Sequence, residues 1–378
     1  MSSCKLYKDI YIVDGLRTPV GSSLKSPLVI KELLKGQTNI KDKIDEVLLG
    51  NTVSAGTGQN IARQAIILSG LSYSTPGFVI NGVCGSGLEA VIMACRAIFC
   101  DGMHLVLAGG SESASQCPSL VYDTAEPVDS LIRDGLWCNM SDQHMGQLAE
   151  NLAKKHNVSK ESQDVFSCQS HVKAVSAQEK NKFQQEIVPV KKADGGLVDK
   201  DDRPRKNISM ERMGNLPSAF EEDGTVTAGN ASSAADGAAV LLLASAASIK
   251  KYNLSKPKAK ILGYASIALE PARCFEGAVI AVQESLKVCG LSLADIDLFE
   301  IGESFASQVI WTKDQLRIPD EKLNIYGGDI ALGHPLGSTG ARLLVTLLHA
   351  LENENKKLGL VSLCFGSGGA ISMVIERL

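Results

Sequence analysis

Two stretches of this chain repeat one plan, and the repeat constrains the fold more than any single element. CGSGLEAVIMACRAIFCDGMHLVLAGGSESA, from Cys84, runs from a glycine–serine turn into an apolar helix, a polar turn and a strand ending in glycine. LGSTGARLLVTLLHALENENKKLGLVSLCFGSGGA, from Leu336, has the same order at nearly the same spacing. Strand alternates with helix in both, which indicates an α/β layer built on parallel strands. A chain of 378 residues is too long for one ordinary core. The expected organisation is two similar α/β halves with an irregular insert. Residues 1–113, continued by 234–256, form the first half, 114–233 an inserted loop domain, and 257–378 the second half.

Local patterns fill in this frame. Strands are expected at Ile10–Val13, Glu46–Leu49, Gly77–Ile80 and Leu105–Ala108, and helices at Gln59–Leu68 and Ser86–Phe99. In the latter helix Leu88, Val91, Ile92, Cys95 and Phe99 recur at three and four residues, which puts Cys95 on the apolar face. The insert carries a helix over Met145–His156 and a second one capped by Ser159, with Glu161 and Asp164 in its first turns. Lys191–Met213 is polar and charged in both signs, either a solvated loop or a contact for an anionic ligand. Beyond it, helices are expected over Ala235–Ser245, Phe275–Val288 and Glu303–Leu316, and strands near Lys260–Ser266 and Leu298–Ile301.

Composition narrows the class. Charged residues are 21% of the chain and the net charge is −4, so no general nucleic-acid affinity is implied. Ala238–Ile249, read as the longest apolar stretch, is too short to span a bilayer. The N-terminus lacks the apolar core of a secretory signal and the C-terminus MVIERL carries no lipidation signal, so no membrane role and a cytoplasmic setting are expected. The ten cysteines include no Cys-x-x-Cys pair and the histidines no His-Glu-x-x-His, so no metal site is expected.

The reactive residues cluster at corresponding joints. In α/β layers functional groups gather after the C-terminal ends of strands. Cys84 occupies such an end in the first half, and His334 and Cys364 occupy such ends in the second. A pseudo-twofold packing of the halves brings all three to one cleft. A cysteine and a histidine make a nucleophile and its base, and a helix N-terminus is expected to lower the thiol pKa. Gly85 and Gly87 leave the backbone open, Pro335 holds His334 extended, and the glycines after Cys364 let N–H groups point at an oxyanion.

These stretches are similar to the thiolase family over nearly the whole chain. RTPVG, GQNIARQA, NGVCGSG, GGSESAS, QHMGQLAENLAKK, VTAGNASSAADGAA, GGDIALGHPLGSTGAR and LCFGSGGA all match in order. The resemblance implies an α/β thiolase-like fold of two βαβαβαββ halves in five αβαβα layers, plus a loop domain. It implies a reversible Claisen condensation of two acetyl-CoA to acetoacetyl-CoA and CoA, or thiolysis of short 3-ketoacyl-CoA, with no cofactor beyond these thioesters. Cys84 then matches the acylated nucleophile, His334 its base, and Cys364 the acid/base at the α-carbon. Oxyanion donors are the N–H groups of Cys84 and Gly366, together with His334. His144 and Met145 match the short-chain branch of the family; Ser232 and Ala228 match its CoA side. Phe305 and Cys274 fall near the acyl pocket. A homodimer or homotetramer is implied, with Ser111–Ser119 near the interface.

Three departures stand out. Where thiolases carry Asn-Glu-Ala-Phe, this chain has Gly302-Glu303-Ser304-Phe305. In the family that asparagine holds a water which, with the Gly-His-Pro histidine, binds the enolate oxygen. Cys274 replaces a usual methionine, and Ser22–Glu46 is shorter by over a dozen residues. Two alternatives therefore accompany the condensing enzyme: a thiolase-like protein limited to acyl transfer or hydrolysis, and a CoA-binding, non-catalytic subunit.

Overall fold

The computed structural model describes residues 2–21, 26–37, 40–100, 102–123, 126–192 and 194–378. Parts of the segment expected to be shortened, residues 22–25 and 38–39, lie outside the described residues. The first half contains β1 (Ser2–Arg17), α1 (Ser26–Lys35), β2 (Glu46–Gly50), α2 (Ile61–Ser69), β3 (Gly77–Ile80), α3 (Ser86–Cys100) and β4 (Leu105–Ser113). The insert contributes α4 (Met145–His156), α5 (Lys160–Glu179) and α6 (Met210–Gly214), and β5 (Asp236–Ser245) and α7 (Ala246–Lys251) follow. The second half has β6 (Ala259–Ala268), α8 (Gly277–Cys289), β7 (Leu298–Ile301), α9 (Ala306–Leu316), α10 (Asp329–Leu332), α11 (Leu336–Asn353), β8 (Leu358–Phe365) and β9 (Gly369–Arg377).

Among the described residues the nine strands form one sheet whose order is palindromic: β3-β2-β4-β5-β1-β6-β9-β8-β7. β3, β2 and β4 run parallel, as do β8 and β7, and every pairing between β4 and β8 is antiparallel. The antiparallel β1–β6 pair is the seam between the halves. One strand breaks the symmetry. The counterpart of β3 is reduced to a single parallel bridge, Leu323 to Phe299.

Alternation along the strands shows sheets buried on both faces. Leu48, Val106, Ala108, Leu241 and Leu243 share a core with α3, α11 and the inner residues of the second half, Val361, Leu363, Ile371 and Met373. Their neighbours Val47, Leu49, Leu105, Leu107, Val240 and Leu242 pack against α1 and α2. Phe299, Ile301, Leu360 and Val374 pack outward against α8 and α9. The result is helix, sheet, paired central helices, sheet, helix. α11 is buried continuously from Leu336 to Leu351, as a helix enclosed on all sides must be.

Two expectations change. Ala235–Ser245 forms a strand, not a helix, because a continuous apolar run reads the same in a buried helix and a buried strand. Nine of the ten β5 residues are buried, with β1 and β4 hydrogen-bonded on either side. Nor is Ala238–Ile249 the longest apolar segment: Val83–Cys100 has a mean hydropathy of 1.6 over 18 residues and lies mostly buried as the central helix. The other strand and helix expectations hold, including the Ser159 cap, whose hydroxyl accepts from Ser162 N–H at 3.2 Å.

The central helices meet at their N-terminal ends, and this contact places the site. A Cβ on Gly87 would lie 2.9 Å from Gly337 O, and one on Gly340 would lie 2.8 Å from Leu88 N. Only glycines allow that approach. Cys84 and His334 each stand two residues before their helix, so the crossing brings them face to face.

Candidate active site

His334 Nε2 lies 3.1 Å from Cys84 Sγ, with both side chains buried. Thr339 Oγ1 lies 2.8 Å from His334 Nδ1. A hydroxyl both donates and accepts, so Thr339 fixes the ring in either tautomer. The backbone also holds the histidine. His334 N–H donates to Ser233 O at 2.9 Å, and its carbonyl accepts from Ala235 N–H at 3.2 Å. Gly333 before it has φ +99°, and a Cβ there would come within 2.8 Å of Arg203 Cδ.

The residue preceding Cys84 is strained. Val83 has φ +52°, a left-handed conformation that a β-branched residue rarely adopts. Asn81 Oδ1 accepts from Val83 N–H at 3.0 Å, and the Val83 carbonyl accepts from Thr52 Oγ1 at 3.1 Å and Ser86 Oγ at 2.6 Å. These bonds offset a cost of about 1–2 kcal/mol and turn Cys84 toward His334.

Burial governs the titrations. It pushes the Cys84 thiol up to about 12, and Asp329 adds to the rise. The expected lowering by the α3 N-terminus is therefore outweighed, because desolvating a thiolate costs more than one helix end returns. Burial likewise raises the Cys364 thiol well above its usual range, with Cys274 and Cys84 contributing. It pulls His334 below 6.5, with Asp329 opposing. At neutral pH the resting site thus holds protonated thiols beside a neutral imidazole able to accept a proton.

The remaining expected residues gather on the second wall. Met145, Cys274, Phe305 and Cys364 share one buried cluster with Cys138. A Cβ on Gly85 would lie 2.5 Å from Phe365, and one on Gly366 would lie 3.6 Å from Met145 Sδ and 3.7 Å from Val83. The Cys84 turn and the Cys364–Gly366 turn are therefore in contact. His144 caps α4 through Nδ1, which accepts from Gly146 N–H at 3.0 Å, and stacks on Phe220. Ser232 Oγ and N–H both donate to Ser304 O at 3.0 Å, tying the loop beside His334 to the Gly302 loop. Ala228 lines a cavity of about 320 Å³ with Arg203, Arg205, His171 and Ser233, so part of the polar Lys191–Met213 segment faces a cavity. Of the expected interface segment, Ser111–Ser113 are buried in β4.

Three residues were missed in the sequence. Thr339 stands five positions after His334, and nothing in that spacing marks it as the partner of the ring's second nitrogen. Asp329 and Arg342 form a buried ion pair beneath the site. The signal for Asp329 was a lone charge in the otherwise apolar GGDIALG loop. Among the described residues no group of three or more His, Cys, Asp or Glu side chains is placed to hold a metal.

A buried cysteine–histidine pair and a second thiol, set at the joints of a duplicated five-layered fold, define a class. The sequence matches the family models "Thiolase, N-terminal domain" over residues 10–247 and "Thiolase, C-terminal domain" over residues 255–377. This chain belongs to the thiolase family. It is 42% identical to the acetyl-CoA acetyltransferase of Escherichia coli (strain K12), over 98% of this chain and 100% of that protein. Among solved structures it is similar to Acat5 thiolase from Ascaris suum in complex with coenzyme A, at 37% identity and TM-score 0.92 over 98% of this chain and 100% of that one. It is also similar to human mitochondrial 3-ketoacyl-CoA thiolase in complex with CoA, at 33% identity and TM-score 0.94 over the full length of both.

Proposed function

We propose that this protein is an acyl-CoA C-acyltransferase that condenses two acetyl-CoA to acetoacetyl-CoA and CoA, and runs the reverse thiolysis, through a Cys84 acyl-enzyme. The observation that carries the reading is the 3.1 Å contact between His334 Nε2 and Cys84 Sγ. His334 takes the thiol proton as Cys84 attacks the thioester carbonyl, with the Cys84 and Gly366 N–H groups receiving the oxyanion. Cys364 gives its proton to the departing CoA sulfur, which leaves a Cys364 thiolate and a His334 imidazolium. The thiolate then removes an α-proton from a second acetyl-CoA. The new carbon nucleophile attacks the acetyl group on Cys84, and the expelled Cys84 sulfur recovers its proton from His334.

The names of the relatives and the cavity beside Arg203 and Arg205 support CoA thioesters as substrates, with the two guanidinium groups meeting phosphates. A homodimer or homotetramer in the cytoplasm completes the reading; sedimentation analysis measures the assembly. Incubation with CoA and acetoacetyl-CoA, followed by loss of the acetoacetyl-CoA absorbance, tests the activity. Loss that Cys84→Ala abolishes supports the reading. Gly302 favours a second reading, in which acetyl-CoA acylates Cys84 but neither thiolysis nor condensation follows.

A further inference from the structure

Gly302 leaves one question open: what replaces the side chain the family places there. The surroundings point to Asp329. A Cβ on Gly302 would lie 2.9 Å from Leu363 Cβ and 3.6 Å from Asp329 Oδ2. The space an asparagine would enter is therefore narrowed on one side and already borders a carboxylate oxygen on the other. Asp329 is fully buried and fixed at both oxygens. Oδ2 accepts from Glu303 N–H at 2.8 Å, and Oδ1 pairs with Arg342 Nη2. Glu303 locks the same loop, accepting from Ile330 N–H at 3.2 Å and Ser170 Oγ at 2.7 Å. Arg342 is also buried, and its Nε and Nη1 have no hydrogen-bond partner.

Resting on the thiolase reading above, we propose that Asp329 is the positioning residue of the enolate step, entering from the opposite wall to do the work of the missing asparagine. One lone pair on Oδ2 takes the Glu303 N–H, and another remains for a water O–H. The second O–H of that water then donates, with His334 Nε2–H, to the thioester oxygen. In this step the α-carbon's C–H bond breaks and the Cys364 S–H bond forms, and the electron pair moves through the new C=C to that oxygen. Arg342 balances the carboxylate, so the developing enolate does not face a bare negative charge. Asp329 also acts on the charge states of Cys84, His334 and Cys364 together, and at His334 it favours the imidazolium.

The test separates two half-steps: acetylation of Cys84, read by mass spectrometry, and exchange of acetyl-CoA α-protons in D2O, read by NMR. Parent protein, Asp329→Ala, Gly302→Asn and the double variant are compared. Loss of a preorganised oxyanion donor costs about a hundredfold to a thousandfold. In Asp329→Ala, α-proton exchange is expected to fall by that factor, far more than acetylation does. Gly302→Asn alone also loses exchange, because its side chain enters the space beside Asp329 Oδ2. The double variant, which supplies the asparagine and removes the carboxylate beside it, recovers exchange at least about tenfold over Asp329→Ala, a gain that mere repair of packing would share with acetylation. Equal losses in both half-steps, unchanged exchange in Asp329→Ala, or a double variant that acetylates without exchanging overturns the proposal. If Asp329→Ala is insoluble, the double variant against the parent decides in the same way. A parent that acetylates but does not exchange overturns this inference and leaves acyl transfer standing; a parent that does not acetylate Cys84 overturns the thiolase reading with it.

Discussion

The two halves put the same strand ends to different use. Gly50 of β2 pairs with Gly110 of β4, and Ile301 of β7 pairs with Ser362 of β8. Asn51 and Glu112 stand at the C-terminal ends of the first pair of strands, and Gly302 and Cys364 at those of the second. In the first half these positions form a closed polar network. Asn51 Nδ2 donates to Glu112 Oε1 at 2.9 Å, and Glu112 also accepts from the N–H groups of Thr52 at 2.9 Å, Val53 at 3.2 Å and Gly337 at 2.8 Å. The last bond clamps the N-terminus of α11, which carries His334 just ahead of it. In the second half the same strand ends carry a glycine and a thiol. One copy of the duplicated strand end is committed to holding the helix, and the proposed chemistry falls to the other.

Breaking the chemical side should cost most. Cys84→Ala is expected to lower thiolysis by about 10⁴-fold or more while leaving the melting temperature near that of the parent. Cys364→Ala should lower condensation and α-proton exchange by about 10²–10⁴-fold, and should still accumulate acetyl-Cys84, though more slowly than the parent because the departing CoA sulfur loses its proton donor. On the structural side the loss appears as stability. Glu112→Ala strands three buried N–H groups, and at about 1–3 kcal/mol for each unsatisfied group the protein should unfold at clearly lower denaturant concentration. Should Glu112→Ala instead fold normally and lose only catalysis, the division of labour between the halves is wrong.

Smaller effects sharpen the picture. Thr339→Val should slow Cys84 acetylation by about tenfold, comparable to losing one buried hydrogen bond. His334 must be neutral to accept the thiol proton, and burial places its pKa below 6.5. Acetylation should therefore rise with pH below 6.5 and stay level from there to about 8; single-turnover rates across that range check it. The smallest effect concerns acid stability, away from the site. Burial alone would raise the Glu276 carboxyl, but hydrogen bonds from Lys155, Arg273 and His156 outweigh it and hold it at about 2. A depressed carboxylate stabilises the fold above its unfolded pKa of 4.5 and loses that contribution as pH falls toward 2. Glu276→Gln should flatten that part of the parent's acid-unfolding curve.

The sequence by itself determined the duplication, the α/β class and the positions of Cys84, His334 and Cys364. Helix periodicity and strand-ending glycines are local signals, and the two repeats reported each other. It also located the anomaly at Gly302, since a missing side chain is visible in a motif. Tertiary structure alone decided the rest. β5 is a strand because β1 and β4 flank it, and an apolar run carries no mark of its neighbours. The thiols are held protonated because both are buried, Cys84 in the central core and Cys364 in the cluster with Met145 and Phe305, and burial outweighs the helix end that the sequence displayed. Thr339 gained its meaning only from the orientation of the imidazole. Asp329 stands 27 positions from Gly302 in the chain, and only folding sets its carboxylate beside the space that the glycine leaves.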